Sequence, residues 1–216
     1  MSDASRKAKR KRLDPQQREE EIVEGASLYF SEVGFDGRMR DLATRLGISH
    51  ALLFRYFPTK EALVDRVYER MFLSRWDPAW DALLEDRSLA FADRLVRFYA
   101  GYLAAIDRPA WVRTFIHGGL AGVNINQRYL SLIRRKVIVP VAAELSRLAG
   151  QGDGRAPSDE ALELSWGLHG EIFYLPIRRW VYGVKATVDS DAFVSLVVRK
   201  FIAGAPAALA ARGGRR

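Results

Sequence analysis

The 216 residues carry 34 Lys and Arg against 26 Asp and Glu, a formal net charge of +8, with 49% hydrophobic and 28% charged residues. That is an ordinary globular balance in a chain long enough for one or two domains with a packed core. The absence of cysteine excludes disulfide scaffolds, Cys-ligated zinc, iron–sulfur clusters and thiol catalysis.

The surplus charge opens the chain. Residues 6–12 read Arg-Lys-Ala-Lys-Arg-Lys-Arg. Like charges at that density repel, so residues 1–14 are expected to form a basic arm, with the ordered fold starting after Asp14-Pro15. Such an arm either follows phosphates and releases counterions or stays a solvated tail. No apolar h-region follows it, as a secretory signal would need. No apolar run approaches the roughly 18–20 residues of a membrane span. A cytoplasmic protein with no membrane partner is the expectation.

Helical spacing then dominates. Ile22, Ala26, Tyr29, Phe30 and Val33 form one apolar stripe, which Gly34-Phe35 ends. Met39, Leu42, Ala43 and Leu46 form a second, shorter stripe, stopped by Gly47. Ser49 caps a third helix to about Tyr56 or Phe57. Thr59 caps a fourth, with Leu63, Val67, Tyr68, Met71 and Phe72 on its apolar side. Helical stretches are predicted over 60–76, 88–106, 109–118, 122–149, 158–184 and 189–205. Gly150 to Pro157 is the clearest loop, and Ser158 a good N-cap after it. Pro140 and Pro176 fall inside predicted helices and are expected to kink them. No strand-type alternation persists, so the fold class is all-α. The closing Arg212-Gly-Gly-Arg-Arg216 is expected to fray. Between Asp107 and Glu144 no acidic residue occurs, while Arg108, Arg113, Arg128, Arg134, Arg135 and Lys136 lie there. Either an anion-accepting cavity follows or an exposed face whose counterions come from elsewhere in the fold.

The functional signal lies in Met39 to Phe57. A short helix, a tight turn at Leu46-Gly47-Ile48 and a capped second helix make a helix-turn-helix arrangement. Ala43 is small where two helices would cross, and Gly47 can take positive φ where the chain reverses. Ile48, Leu53 and Phe57 have the spacing to plug the gap beneath. The helix end at Ser49 carries partial positive charge suited to a phosphate. His50, Ala51 and Leu52 occupy the helix start, where base edges are reached in such motifs.

With its flanks, the segment resembles the TetR (tetracycline-repressor-like) family of transcriptional regulators. The likeness covers about residues 18–68. It is carried by Tyr29 to Phe35, Arg40-Asp41-Leu42-Ala43, Leu46-Gly47-Ile48-Ser49 and Leu53-Phe54-Arg55-Tyr56-Phe57-Pro58-Thr59-Lys60-Glu61-Ala62-Leu63. The resemblance implies a helix-turn-helix domain over 15–60 and a larger helical domain over 61–210. That second domain would hold a ligand pocket and form a homodimer through its last two long helices. The implied function is a ligand-responsive regulator, a repressor released from a palindromic double-stranded operator by a small hydrophobic or aromatic effector, with no cofactor, metal or catalysis. The implied DNA-contacting residues are Arg40, Ser49, His50, Ala51, Leu52, Phe54, Tyr56 and Lys60. Two departures stand out. The stretch Gly34 to Leu42 is one residue short of the usual pattern and lacks the capping Thr, which leaves Asp36 or Gly37 as cap and either Arg38 or Arg40 at the phosphate. Phe54 stands where Tyr is usual, removing a phosphate-seeking hydroxyl. Leu52 could touch a thymine methyl instead of making a polar base contact.

Phe72, Trp76, Phe98, Tyr102, Trp111, Phe115, His117, Trp166, His169 and Phe173 are the candidate pocket lining, an apolar body with a few polar edges. For each of them plain core is the competing reading. Ser165, Gly204 and Ala205 are small enough for close approach of two copies, and Phe193 and Leu196 lie on the apolar perimeter of the last helix. The rival classes are an enzyme and a regulator without an effector. No nucleophile elbow, His-Glu-x-x-His or phosphate-cradling loop supports the first. The size of the cavity discriminates the second.

Overall fold

The computed structural model describes residues 14–151 and 156–213. The basic run at 6–12, loop positions 152–155 and the last three residues lie outside the described residues. All regular structure among the described residues is helical: α1 (Pro15–Val33), α2 (Met39–Leu46), α3 (His50–Tyr56), α4 (Lys60–Met71), α5 (Ala79–Glu85), α6 (Phe91–Ile106), α7 (Pro109–Leu120), α8 (Ile125–Ile133), α9 (Val139–Leu148), α10 (Asp159–Trp180) and α11 (Ser190–Gly213). Helix α1 packs on α2 and α4 and also along α7, which ties the first four helices to the rest. Beyond them α6 lies against α5, α10 and α11, and α10 against α7, α9 and α11.

Local chemistry accounts for most boundaries. Proline opens α1, where its missing N–H would have no helical partner anyway. Gly34, at φ 83°, closes α1 with its N–H on the Phe30 carbonyl at 3.0 Å. Ser158 accepts the Ala161 N–H at 3.2 Å and starts α10.

Several boundaries depart from the sequence expectation. The fourth helix ends at Met71 and passes through a 3₁₀ turn at Leu73–Arg75 instead of continuing to 76. Helix α5 was absent from the prediction: it is two turns long, has no side-chain cap, and is held by burial of Trp80 and Leu84. Helix α6 starts at Phe91, not 88, because Asp86 accepts from both the amide and the hydroxyl of Ser88 and folds that stretch into a turn. The predicted helix 122–149 is α8 and α9 joined by a π-helical turn at Arg134–Ile138. Pro140 sits directly after that π-helical turn, within a continuous helical backbone, in place of the kink expected inside a single α-helix. Pro176 lies inside α10, which continues to Trp180.

Helix α11 runs on past Pro206 to Gly213, held on the core by Ala205 and Leu209. That extension corrects the expectation about apolar runs. Over Ser190–Ala211, with mean hydropathy 1.6, α11 is long and apolar enough to cross a membrane by length and composition. In this fold its Val194, Val197, Val198 and Phe201 are buried, and it packs on α6, α9 and α10.

Candidate nucleic-acid interface and the aromatic core behind it

The turn between α2 and α3 is built by backbone chemistry. Gly47 is left-handed at φ 63°, ψ 34°, its N–H on the Thr44 carbonyl, while the Ile48 N–H reaches the Ala43 carbonyl, both at 3.0 Å. These paired bonds satisfy the last carbonyls of α2 and set the exit direction of the chain. Ser49 then accepts the Leu52 N–H at 3.1 Å. Leu53, Phe57, Leu42 and Ala43 are buried beneath, and Ile48 is half-buried against them. On the outer side of α3, His50, Ala51, Phe54 and Arg55 are exposed, and Leu52 and Tyr56 half-exposed. The His50 and Phe54 rings pack at 4.5 Å, one helical turn apart, and the Arg55 guanidinium lies 5.6 Å from the Tyr56 ring centre.

The approach to α2 differs from both capping expectations. Arg38 is the N-cap, in extended conformation and without a side-chain bond, so neither Asp36 nor Gly37 caps the helix. Gly37 serves Tyr29: a Cβ there would sit 2.5 Å from the phenol ring. The Tyr29 hydroxyl reaches the Arg38 carbonyl at 3.4 Å. Arg40 is exposed on α2. Lys60 is half-buried, and its ammonium donates to the Phe35 carbonyl, which fastens the α1–α2 loop to the start of α4.

Behind this unit lies a continuous aromatic core. Phe72, at the end of α4, has its ring 4.8 Å from Trp111 and 5.5 Å from Tyr129. Trp111 stacks on Phe115 at 5.4 Å and meets Phe173 edge-on at 5.9 Å. Phe98 stacks on Tyr102 at 5.7 Å, and Trp76 and Trp80 pack at 5.3 Å beside them. A polar thread runs through: Tyr129 donates to the Tyr102 hydroxyl at 3.2 Å, which lies 3.4 Å from His169 Nε2. Burial raises the pKa of Tyr99, Tyr102 and Tyr129 above the ordinary phenol value and lowers that of His169 to about 4. Among the described residues, a cavity of about 190 Å³ lies between Phe72, Trp76, Trp80, Tyr102, Trp111 and Tyr129, too narrow to hold a water molecule.

Residues 22–67 match the family described as bacterial regulatory proteins, tetR family. Over these residues the chain is similar to that family. Solved structures share the whole architecture. A TetR-like transcriptional regulator from Rhodococcus sp. RHA1 has a TM-score of 0.66 at 20% identity, covering 89% of this chain and 100% of its own. A tetR-family transcriptional regulator from Streptomyces coelicolor has a TM-score of 0.63 at 17% identity, covering 93% and 84%. One from Pseudomonas syringae pv. tomato str. DC3000 has 0.56 at 17%, covering 89% and 97%. At these identities the likeness is one of fold. No curated protein matches the chain in sequence.

The tetR-type domain thus gathers Arg40, His50, Ala51, Leu52, Phe54 and Tyr56 on or beside one exposed helix, with Ser49 spent on its cap. The core gathers Phe72, Trp76, Phe98, Tyr102, Trp111, Phe115, His169 and Phe173. Trp166 reaches it at the edge, 5.9 Å from His169. His117 does not join it. It lies against the end of α1, where a Cβ on Gly34 would meet its Nδ1 at 3.0 Å. Sequence reading missed Arg75, Trp80, Tyr99 and Tyr129. Trp80 was lost with α5, and Tyr129 sits in the stretch read for its charges. Two of those charges find counterions elsewhere in the fold: Arg128 pairs with Asp65 at 2.5 Å, and Lys136 with Asp81.

The depressed pKa of His169 has a thermodynamic consequence. Between the ordinary histidine value near 6.5 and about 4 the unfolded chain binds a proton that the folded one refuses. Stability is therefore full above pH 6.5 and falls as pH drops to 4, by about 3 kcal/mol from this one group. Urea melts at pH 7 and pH 4.5 should show a smaller pH-dependent loss in His169→Gln than in the parent. Equal losses would assign the acid sensitivity to other groups.

Proposed function

We propose that the protein is a dimeric transcriptional regulator that binds a palindromic DNA operator through α3 and is released from it by a small hydrophobic or aromatic effector. Residues 15–60 would read DNA, and 61–210 would hold the effector and the dimer contact. The observation that carries the reading is one continuous arrangement. A capped helix with an exposed face is backed by α4, and α4 ends, without a flexible linker, at Phe72 inside the aromatic core. Binding alone is the chemistry required. Control then comes from a difference in effector affinity between two arrangements of that helix. Effector bound among the rings would displace Phe72 or its partners and swing α4. The Arg128–Asp65 pair, with Arg128 4.0 Å from the Tyr68 ring centre, is a second strut on α4.

Site selection from random duplexes tests the DNA half. An inverted repeat with half-sites about 34–36 Å apart is expected. His50→Ala should relax preference at one or two positions, each by about 1–3 kcal/mol, whereas Arg40→Ala should weaken all sequences alike and lower the salt slope by about 1. Failure to enrich any inverted repeat would sink the reading. Removing residues 1–12 lowers the slope by about 2.7 if the arm meets three phosphates, and leaves it unchanged if the arm is a solvated tail.

A further inference from the structure

The cavity among the rings has an unbalanced polar lining. Among the described residues that line it, Arg75 is the one charged group; the others are Phe72, Trp76, Trp80, Tyr102, Ala105, Ile106, Trp111 and Tyr129. Arg75 Nε is buried without a hydrogen-bond partner, and so is the indole Nε1 of Trp111, whose side chain is almost wholly enclosed. Both are donors and neither can accept. The two hydroxyls in the lining, of Tyr102 and Tyr129, already bond to each other. What the cavity lacks is therefore an acceptor. The charges that bear most on Arg75 are the guanidiniums of Arg108 and Arg70, and burial together with these cations lowers its pKa from the ordinary value. A buried donor without a partner costs about 1–3 kcal/mol, which an acceptor between the two would relieve.

We propose that this cavity is the closed form of a site for a hydrophobic carboxylate, whose apolar body enters between the rings while its oxygens accept from the Arg75 guanidinium and the Trp111 indole. This assignment rests on the effector reading above and names the chemical class of that effector. A guanidinium is the side chain best shaped to hold a carboxylate, and Arg75 is half-buried at this place. Entry requires a ring to move. Trp76 is half-buried at the rim, its indole N–H held by Asp81 at 3.1 Å and its face 5.2 Å from the Lys136 ammonium. Trp76 directly follows the 3₁₀ turn that carries Arg75 and continues α4. A ligand drawn to Arg75 would thus pull on the same segment that positions α3.

Matched probes test the proposal on the full-length protein. Binding of 1-naphthylacetate, its uncharged amide and 1-naphthylethylamine is measured by calorimetry and thermal melting, with decanoate and decanol as a second pair. Each acid is expected to bind about 10-fold more tightly than its uncharged partner. Arg75→Gln should bring the acid down to the level of the amide, leave binding of the amide unchanged, and leave the melting temperature of the free protein unchanged or higher. Arg75→Lys should keep most of the preference. Trp111→Phe, which retains a ring, should weaken the acid alone. If amide or amine binds as well as acid, or the preference survives Arg75→Gln, the carboxylate assignment is wrong while the effector reading stands. If no probe of either body binds, both fall.

Discussion

Leu196→Glu is expected to turn the protein into a folded monomer that has lost most of its operator affinity. Leu196 is 55% exposed on α11, while its neighbours Val194, Val197 and Val198 are buried on the opposite side. The helix thus has an inner apolar face packed on α6, α9 and α10, and an outer face, with Leu196 on it, that is exposed among the described residues. Helix α10 adds to the outer surface. A Cβ at Gly167, Gly170 or Gly204 would meet no atom within 4 Å. A glycine inside an exposed helix costs about 1 kcal/mol against alanine, and close approach of a second backbone gives it a purpose. Of the small residues singled out from sequence, Gly204 is the one left exposed and open to such an approach. Ser165 is buried and donates to its own helix at Ala161, and Ala205 is buried in the monomer core. Phe193 is half-buried against that core, so Phe193→Glu would also disturb the single chain; Leu196 gives the cleaner test. A monomer grips one half-site at a time, so operator affinity should fall by about 100-fold or more through lost effective concentration. Sedimentation should report the monomer and circular dichroism an unchanged helix content. A variant still dimeric at micromolar concentration places the interface elsewhere.

What could be read from the sequence follows how far each determinant reaches along the chain. The helix-turn-helix was legible because its determinants are local. A left-handed Gly47, a Ser49 side chain bonding three residues on, and Leu53 and Phe57 one turn apart each act within a few residues. The missed features are non-local. Lys60 reads as a surface cation until the α1–α2 loop, 25 residues earlier, presents the Phe35 carbonyl to it. His117 shares helix α7 with Trp111 and Phe115 but faces Gly34, because α7 also packs along α1. The gap in acidic residues between Asp107 and Glu144 left open where the counterions would come from. The fold brings Asp65 and Asp81 to it across more than fifty residues. Aromatic composition foretold the cluster, but not that its rings would fill their own space. Composition counts rings, and whether they leave room depends on how the helices converge.

The same distance rule hides the most consequential ion pair. Arg94 on α6 is 3% exposed and donates to Glu144 on α9 at 2.5 Å and to the Leu84 carbonyl, at the end of α5, at 2.8 Å. Glu144 also accepts from Arg147 at 3.2 and 2.9 Å, and Arg87 lies 3.4 Å away at the solvent edge. The side-chain bond from Arg147 lowers the Glu144 pKa most, and Arg94 adds to it. The two partners are therefore not equivalent. Without Arg94, as in Arg94→Met, Glu144 keeps two rim cations and a tolerable charge, so the cost should be modest. Without Glu144, Arg94 is left as a buried cation with only the Leu84 carbonyl as partner. Glu144→Ala should destabilise by about 3–5 kcal/mol, the range for stranding one partner of a buried pair. In a chain of this length that lowers the melting temperature by about 10 °C. Glu144→Gln, which keeps an acceptor but no charge, should fall between. Because the folded carboxylate is held below its ordinary pKa, its stabilisation is present at neutral pH and is lost as pH falls through the folded value. The gap between parent and Glu144→Ala in melting temperature should therefore narrow in acid. A gap independent of pH would mean that the Glu144 charge contributes nothing, and an Arg94→Met variant as unstable as Glu144→Ala would mean that the two partners are equivalent after all.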